Sequence, residues 1–121
     1  MRAVLLAFPL VALATAGSAE DLPLNTAVAQ ENIGETICAP GWTKIIRPPF
    51  KVTNATKLAK LGERGLTAAD KSPFELDHII PLALGGAPGA PRNLALQPWP
   101  EAEDKDAVEA CLARARSAPA A

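Results

Sequence analysis

An almost unbroken apolar run from Ala3 to Ala14 opens the chain. After it, apolar residues come in short groups divided by proline and glycine, so the expected elements are short. Asn25 or Thr26 is placed to cap a short helix carrying Val28 and Ile33, interrupted at Gly34. Pro40-Gly41 marks a turn, residues 42–46 read as a short strand, and Pro48-Pro49 excludes a helix interior or a central strand there. Thr53 or Asn54 caps a helix running to about Leu61 or Glu63. Ala55, Leu58, Ala59 and Leu61 form its apolar positions, and Lys57 and Lys60 face outward. Residues 66–73 read as loop.

Residues 74–80 form the next expected strand, favoured by Ile79-Ile80 and ended by Pro81. A loop rich in glycine and proline covers 85–91, and 93–97 is a second short strand broken by Pro98-Trp99-Pro100. The last helix is expected from Pro100 to about Arg116. Glu101, Glu103 and Asp104 suit its positive N-terminal end, and Arg114 and Arg116 its C-terminal end. Val108, Cys111 and Leu112 are the expected buried stripe, and residues 117–121 a disordered tail.

The opening apolar run follows the positive Arg2 and precedes the small residues Gly17-Ser18-Ala19. At about a dozen residues it is too short for a membrane-spanning helix. Residues 1–19 therefore read as a secretory signal cut after Ala19, which implies a periplasmic or secreted bacterial protein without stable membrane association after cleavage. An uncleaved N-terminal anchor is the alternative. The remaining chain suffices for one small domain, whose core is marginal without a staple. The 121 residues hold two cysteines, Cys38 and Cys111. In an oxidising compartment these are expected to form a disulfide, worth roughly 4 kcal/mol for so long a loop. Two cysteines alone do not make a zinc site.

Twelve basic and thirteen acidic residues give a net charge of −1, which hides an asymmetry. Lys44, Arg47, Lys51, Lys57, Lys60 and Arg64 are opposed over their stretch only by Glu63, whereas Glu101, Glu103, Asp104, Asp106 and Glu109 surround the single Lys105. A polyanion meets local rather than net charge, so the basic half suits phosphates. Ordinary solvated helix faces are the competing explanation.

The concentrated chemistry lies in Glu75-Leu76-Asp77-His78-Ile79-Ile80-Pro81-Leu82, followed by Gly85-Gly86 and Asn93-Leu94. His78 is the chain's one histidine, and imidazole titrates near neutrality, so it is the candidate general base. Asp77 offers hard oxygen ligands for a divalent ion. Adjacent strand residues point to opposite faces, so a shared ion would require the backbone to bend at Asp77-His78.

The Asp-His-x-x-Pro-Leu pattern with Gly-Gly and Asn-Leu resembles the HNH, or ββα-metal, nucleases over about a third of the chain. The resemblance implies an α+β fold, with an HNH-like ββα core at 74–116 behind an N-terminal extension at 20–73 that carries the basic helix. It implies a metal-dependent endonuclease acting on DNA, with RNA as the alternative substrate, and with Mg²⁺ as cofactor and Mn²⁺ or Zn²⁺ as alternatives. Asp77 would bind the metal, His78 would activate water, and Asn93 would orient the loop or the histidine. The pattern departs from the family at the final helix, which lacks the usual His or Asn ligand. Glu101 and Asp104 are the acids there that could ligate, and Lys105 could stabilise phosphate charge.

Lys44, Arg47, Lys57, Lys60 and Arg92 are the candidate nucleic-acid contacts. Trp42 and Trp99 read as core or lid rather than as base-stacking platforms. The competing function is a degenerate HNH-like periplasmic binding or interaction module. Each residue also has a plainer role: His78 as a core hydrogen-bonding group, Asp77 as a partner for a base such as Arg92, and Glu101 and Asp104 as helix-dipole acids.

Overall fold

Alternation of side chains along Phe74-Glu75-Leu76-Asp77-His78 builds one strand of a hairpin. The computed structural model describes residues 22–117, so the leader expected at 1–19 and residues 118–121 lie outside it. Strand β1 (Phe74–His78) pairs antiparallel with β2 (Leu94–Pro98), Leu76 opposite Leu96 and His78 opposite Leu94. Phe74, Leu76, His78, Leu94 and Leu96 thus share one face, and Glu75, Asp77, Ala95 and Gln97 the other. The chain passes from β2 directly into helix α3 (Trp99–Ser117). Helices α1 (Trp42–Ile46) and α2 (Phe50–Glu63) precede the hairpin, giving a small α+β fold.

Helix α2 lies on the Leu76 side of the sheet. Its Leu61 is fully buried, and Arg64 at its end stacks 5.7 Å from the Phe74 ring centroid and donates to the Leu96 carbonyl (3.2 Å). Lys57 donates to the Phe74 carbonyl. Helix α3 takes the Asp77 side, with Ala102 buried against the sheet. Leu82, Leu94 and Leu96 complete the small core.

Several elements depart from expectation. Residues 42–46, read as a strand from their Trp and Ile content, form α1: Gly41 turns the chain at φ 78°, and its carbonyl accepts from Lys44 and Ile45 at the start of the helix. The helix expected after Asn25 or Thr26 is only the 3₁₀ turn Gln30–Asn32, shaped by the Asn32 side chain, which bonds Ala29 N–H (2.8 Å) and the Ala27 carbonyl (2.9 Å). Helix α2 begins before Thr53 and Asn54. Pro49 stands at its N-cap, where the missing N–H costs nothing, and the Thr53 hydroxyl bonds back to the Phe50 carbonyl (3.0 Å) instead of capping.

Two corrections concern α3. The expected buried stripe is turned outward, with Val108 58% and Leu112 45% exposed and Cys111 exposed as well. The inward side is Ala102, Lys105, Glu109, Ala113 and Arg116, because the sheet offers it the Asp77 carboxylate and a backbone carbonyl rather than an apolar surface. The Cys38–Cys111 disulfide is not formed; both cysteines are exposed thiols.

Between the strands, the loop from Ile79 to Ala90 is fastened by Asn93, which is 0% exposed. Its Oδ1 accepts from Ile80 N–H (2.8 Å), and its Nδ2 donates to the carbonyls of Ile80 (3.1 Å) and Ala87 (2.9 Å). Glycine is needed beside it, because a Cβ on Gly86 would stand 1.9 Å from the Ile80 carbonyl oxygen and 2.8 Å from Asn93 Nδ2. The lead-in segment also secures this loop through an isolated bridge of Leu24 with Gly86: Asn25 N–H donates to Gly85 O and Ala87 N–H to Pro23 O, each at 2.8 Å.

Asn93→Ala would remove the side-chain partner of three part-buried backbone groups, so a loss of roughly 1–3 kcal/mol is expected by urea denaturation. A change below about 0.5 kcal/mol would show that the loop holds itself without the amide.

Candidate functional site

Regular pairing of β1 through its last residue decides where the two motif side chains go. Asp77 stands opposite Ala95 and His78 opposite Leu94, and Ile79 N–H continues the ladder by donating to Asn93 O (2.8 Å). The bend that would aim both side chains at one ion is absent, so they leave the strand on opposite faces.

His78 is 7% exposed and belongs to the α2 side. Its Nε2 lies 2.9 Å from the Pro88 carbonyl oxygen. A carbonyl only accepts, so this contact requires a proton on Nε2 and, in the neutral ring, leaves the Nδ1 lone pair available. Asn93, expected to orient the loop or the histidine, donates to the Ala87 carbonyl, and Ala87 precedes the Pro88 carbonyl that meets the ring. His78 lines a cleft of about 710 Å³ between the first half of α2 and the Leu76 face of the sheet. Arg47, Lys57 and Lys71 stand in the wall of the same cleft.

Asp77 faces α3. Its Oδ1 accepts from His78 N–H (2.8 Å), and its Oδ2 lies 2.6 Å from Lys105 Nζ. Lys105 also donates to the His78 carbonyl (2.9 Å) and pairs with Glu109. An ammonium thus occupies the neighbourhood of Asp77 where a cation was expected. Burial works against the charge on Lys105, but the bonds to Asp77 and Glu109 outweigh it and hold its pKa above the ordinary lysine value. Glu75, on the same sheet face, has its carboxyl pKa raised by burial and by the charges of Asp106 and Asp77; its Oε2 is buried without a hydrogen-bond partner.

The donor set does not fit a divalent ion in this arrangement. The Asp77 carboxylate is engaged by Lys105, Glu101 and Asp104 are exposed on the first turns of α3, and among the described residues no three His, Cys, Asp or Glu side chains are grouped to hold a metal. The candidate phosphate contacts are also divided. Arg47 and Lys57 line the cleft with His78, whereas Lys44, Lys60 and Arg92 are not among its lining residues. Arg92 donates to the Leu22 carbonyl at 3.3 Å.

Sequence reasoning missed Lys71, Phe50 and Glu75 as cleft residues, and it placed Trp99 in the core or a lid although the residue is 44% exposed and lines the cleft. Lys71 and Phe50 lie in stretches with no motif of their own, so only the packing of α2 against the hairpin reveals them. A signal for Trp99 was present in the two flanking prolines, which hold it at the start of α3.

Lys105→Ala removes the ammonium from between two carboxylates that are only 15% and 27% exposed in their side chains. The expected result is a loss of roughly 1–3 kcal/mol, with millimolar Mn²⁺ raising the Tm of the variant more than that of the parent protein. Equal Mn²⁺ shifts in both proteins would show that Lys105 does not fill a cation position.

No family model, curated protein or solved structure matches the chain.

Proposed function

We propose that this protein is an endonuclease hydrolysing phosphodiester bonds, DNA before RNA, with an HNH-like ββα unit at 74–116 and His78 as its general base. One observation carries the proposal: the chain's sole imidazole is held through Nε2 on the Pro88 carbonyl while it lines a cleft walled by Arg47, Lys57 and Lys71. That arrangement fixes the tautomer, orients the ring and places cations where a phosphate would enter. Nδ1 of His78 takes the proton of the attacking water as the water oxygen bonds to phosphorus. The cationic side chains offset the negative charge that builds on the phosphate oxygens. The leaving oxygen takes its proton from solvent in the open cleft, because the Glu75 carboxyl lies on the opposite sheet face with Asp77 and Asp106. Asn93 is a positioning residue that acts through the loop.

Mg²⁺ is the cofactor that the HNH resemblance implies, and it would have to displace Lys105 from Asp77. No step above depends on it. The leader-like segment at 1–19 supports action in the periplasm or outside the cell, away from the producer's chromosome.

The second reading, a binding module on a nuclease-like scaffold, is favoured by the Lys105–Asp77 ion pair, which fills the place of a catalytic cation. Supercoiled plasmid separates the two. Purified protein with Mg²⁺ or Mn²⁺ is expected to nick it, and His78→Ala, assayed well below its own Tm and folded by circular dichroism, to slow nicking by at least about a hundredfold. Absence of nicking by the parent protein, or equal nicking by the variant, would leave the binding module.

A further inference from the structure

We propose that the His78 cleft takes an unpaired segment of nucleic acid, with a base stacked on Phe50 or Trp99, so that the preferred substrate is single-stranded; this names the substrate class for the nuclease reading and rests on it. Phe50 begins α2 with 80% of its surface exposed, so it adds almost nothing to the core, yet it lies in the cleft wall. Trp99 lines the same cleft and is 44% exposed, while its indole N–H donates to the Ser72 carbonyl (2.8 Å). That bond fixes the ring and leaves part of it uncovered.

The basic side chains of the wall are placed by stiff backbone. Arg47 is extended (φ −62°, ψ 127°), as a residue before proline tends to be, and Pro48-Pro49 tie it rigidly to Phe50. Lys57 is anchored on the Phe74 carbonyl. Aromatic rings interleaved with cations are what a single strand needs: every base has a face to stack, and each phosphate between bases meets positive charge. An aliphatic guest would use the rings but not the cations.

Size favours the same guest. A cleft of about 710 Å³ lies within the range of sites for small molecules, of roughly 300–1,000 Å³, and is suited to individual nucleotides rather than to a duplex. Its floor is Leu76, Leu94 and His78, so a base that entered would bring its neighbouring phosphate to the imidazole. Enzymes that act within snug pockets take bases unpaired or flipped out of the helix for this reason.

Binding separates this proposal from cleavage. The full chain carrying His78→Ala, with a chelator present, is titrated into a fluorescein-labelled thymidine 12-mer and into a duplex of the same length. Fluorescence anisotropy is expected to give at least tenfold tighter binding of the single strand, quenching of tryptophan emission on binding, and roughly tenfold weaker binding after Phe50→Ala. Phe50 is so exposed that its replacement leaves the core intact. Trp99→Phe is expected to retain most of the affinity that Trp99→Ala loses. Duplex binding as tight as single-strand binding would overturn the proposal, as would unchanged affinity in Phe50→Ala. Single-strand binding by a parent chain that nicks nothing would uphold the cleft assignment and remove the nuclease reading alone.

Discussion

The three hydrogen bonds of the fully buried Asn93 side chain are the constraint on which the rest of the structure depends. A core this small holds the fifteen-residue connection by little apolar contact beyond Leu82, and backbone groups drawn away from water need partners. One amide supplies an acceptor and two donors to Ile80 and Ala87. The Pro88 carbonyl thereby arrives beside His78, and the ring acquires its tautomer from a loop rather than from another side chain. Gly86 is part of the same device, since no side chain fits between the Ile80 carbonyl and the amide.

The hairpin then divides the chemistry between its two faces. One face carries His78 toward a cleft whose wall is basic and aromatic. The other carries Asp77 to Lys105, where two carboxylates and a backbone carbonyl surround an ammonium. Half-buried charges of this kind are retained only when paired, and removing one partner costs more than the pair contributes. Lys105 therefore ties α3 to the last residue of β1, the residue that carries the imidazole. The ion pair also explains the unusual inward side of α3, which meets the sheet through charged side chains while Val108 and Leu112 stand in solvent.

The hairpin and final helix were legible because their punctuation is strong: Pro81, the Gly-Gly pair, Asn93 and the prolines around Trp99 fix where strands stop and α3 starts. The role of Asn93 was expected only through the HNH resemblance; its hydrogen bonds run to Ile80 and Ala87 of the loop. Local propensity misled at 42–46, where Ile45 and Ile46 have no strand to pair with and a turn at Gly41 starts a helix instead. Apolarity misled on α3, because the inward side is set by what the sheet presents. The Asp77–Lys105 pair joins residues 28 positions apart and left no spacing signal. Arg47, Phe50 and Lys71 share a cleft with His78 only through the packing of the segments before β1 against the hairpin, which no pattern along the chain encodes.

Because His78 is the chain's sole histidine, its imidazole nitrogens give one set of ¹⁵N resonances, and these report the central claim directly. At neutral pH the neutral ring is expected to carry its proton on Nε2, with Nδ1 unprotonated and shifting on titration with a thymidine oligonucleotide. A proton on Nδ1 in the neutral ring, or resonances that stay in place at saturating oligonucleotide, would contradict an imidazole held by Pro88 and facing the cleft proposed to take nucleic acid.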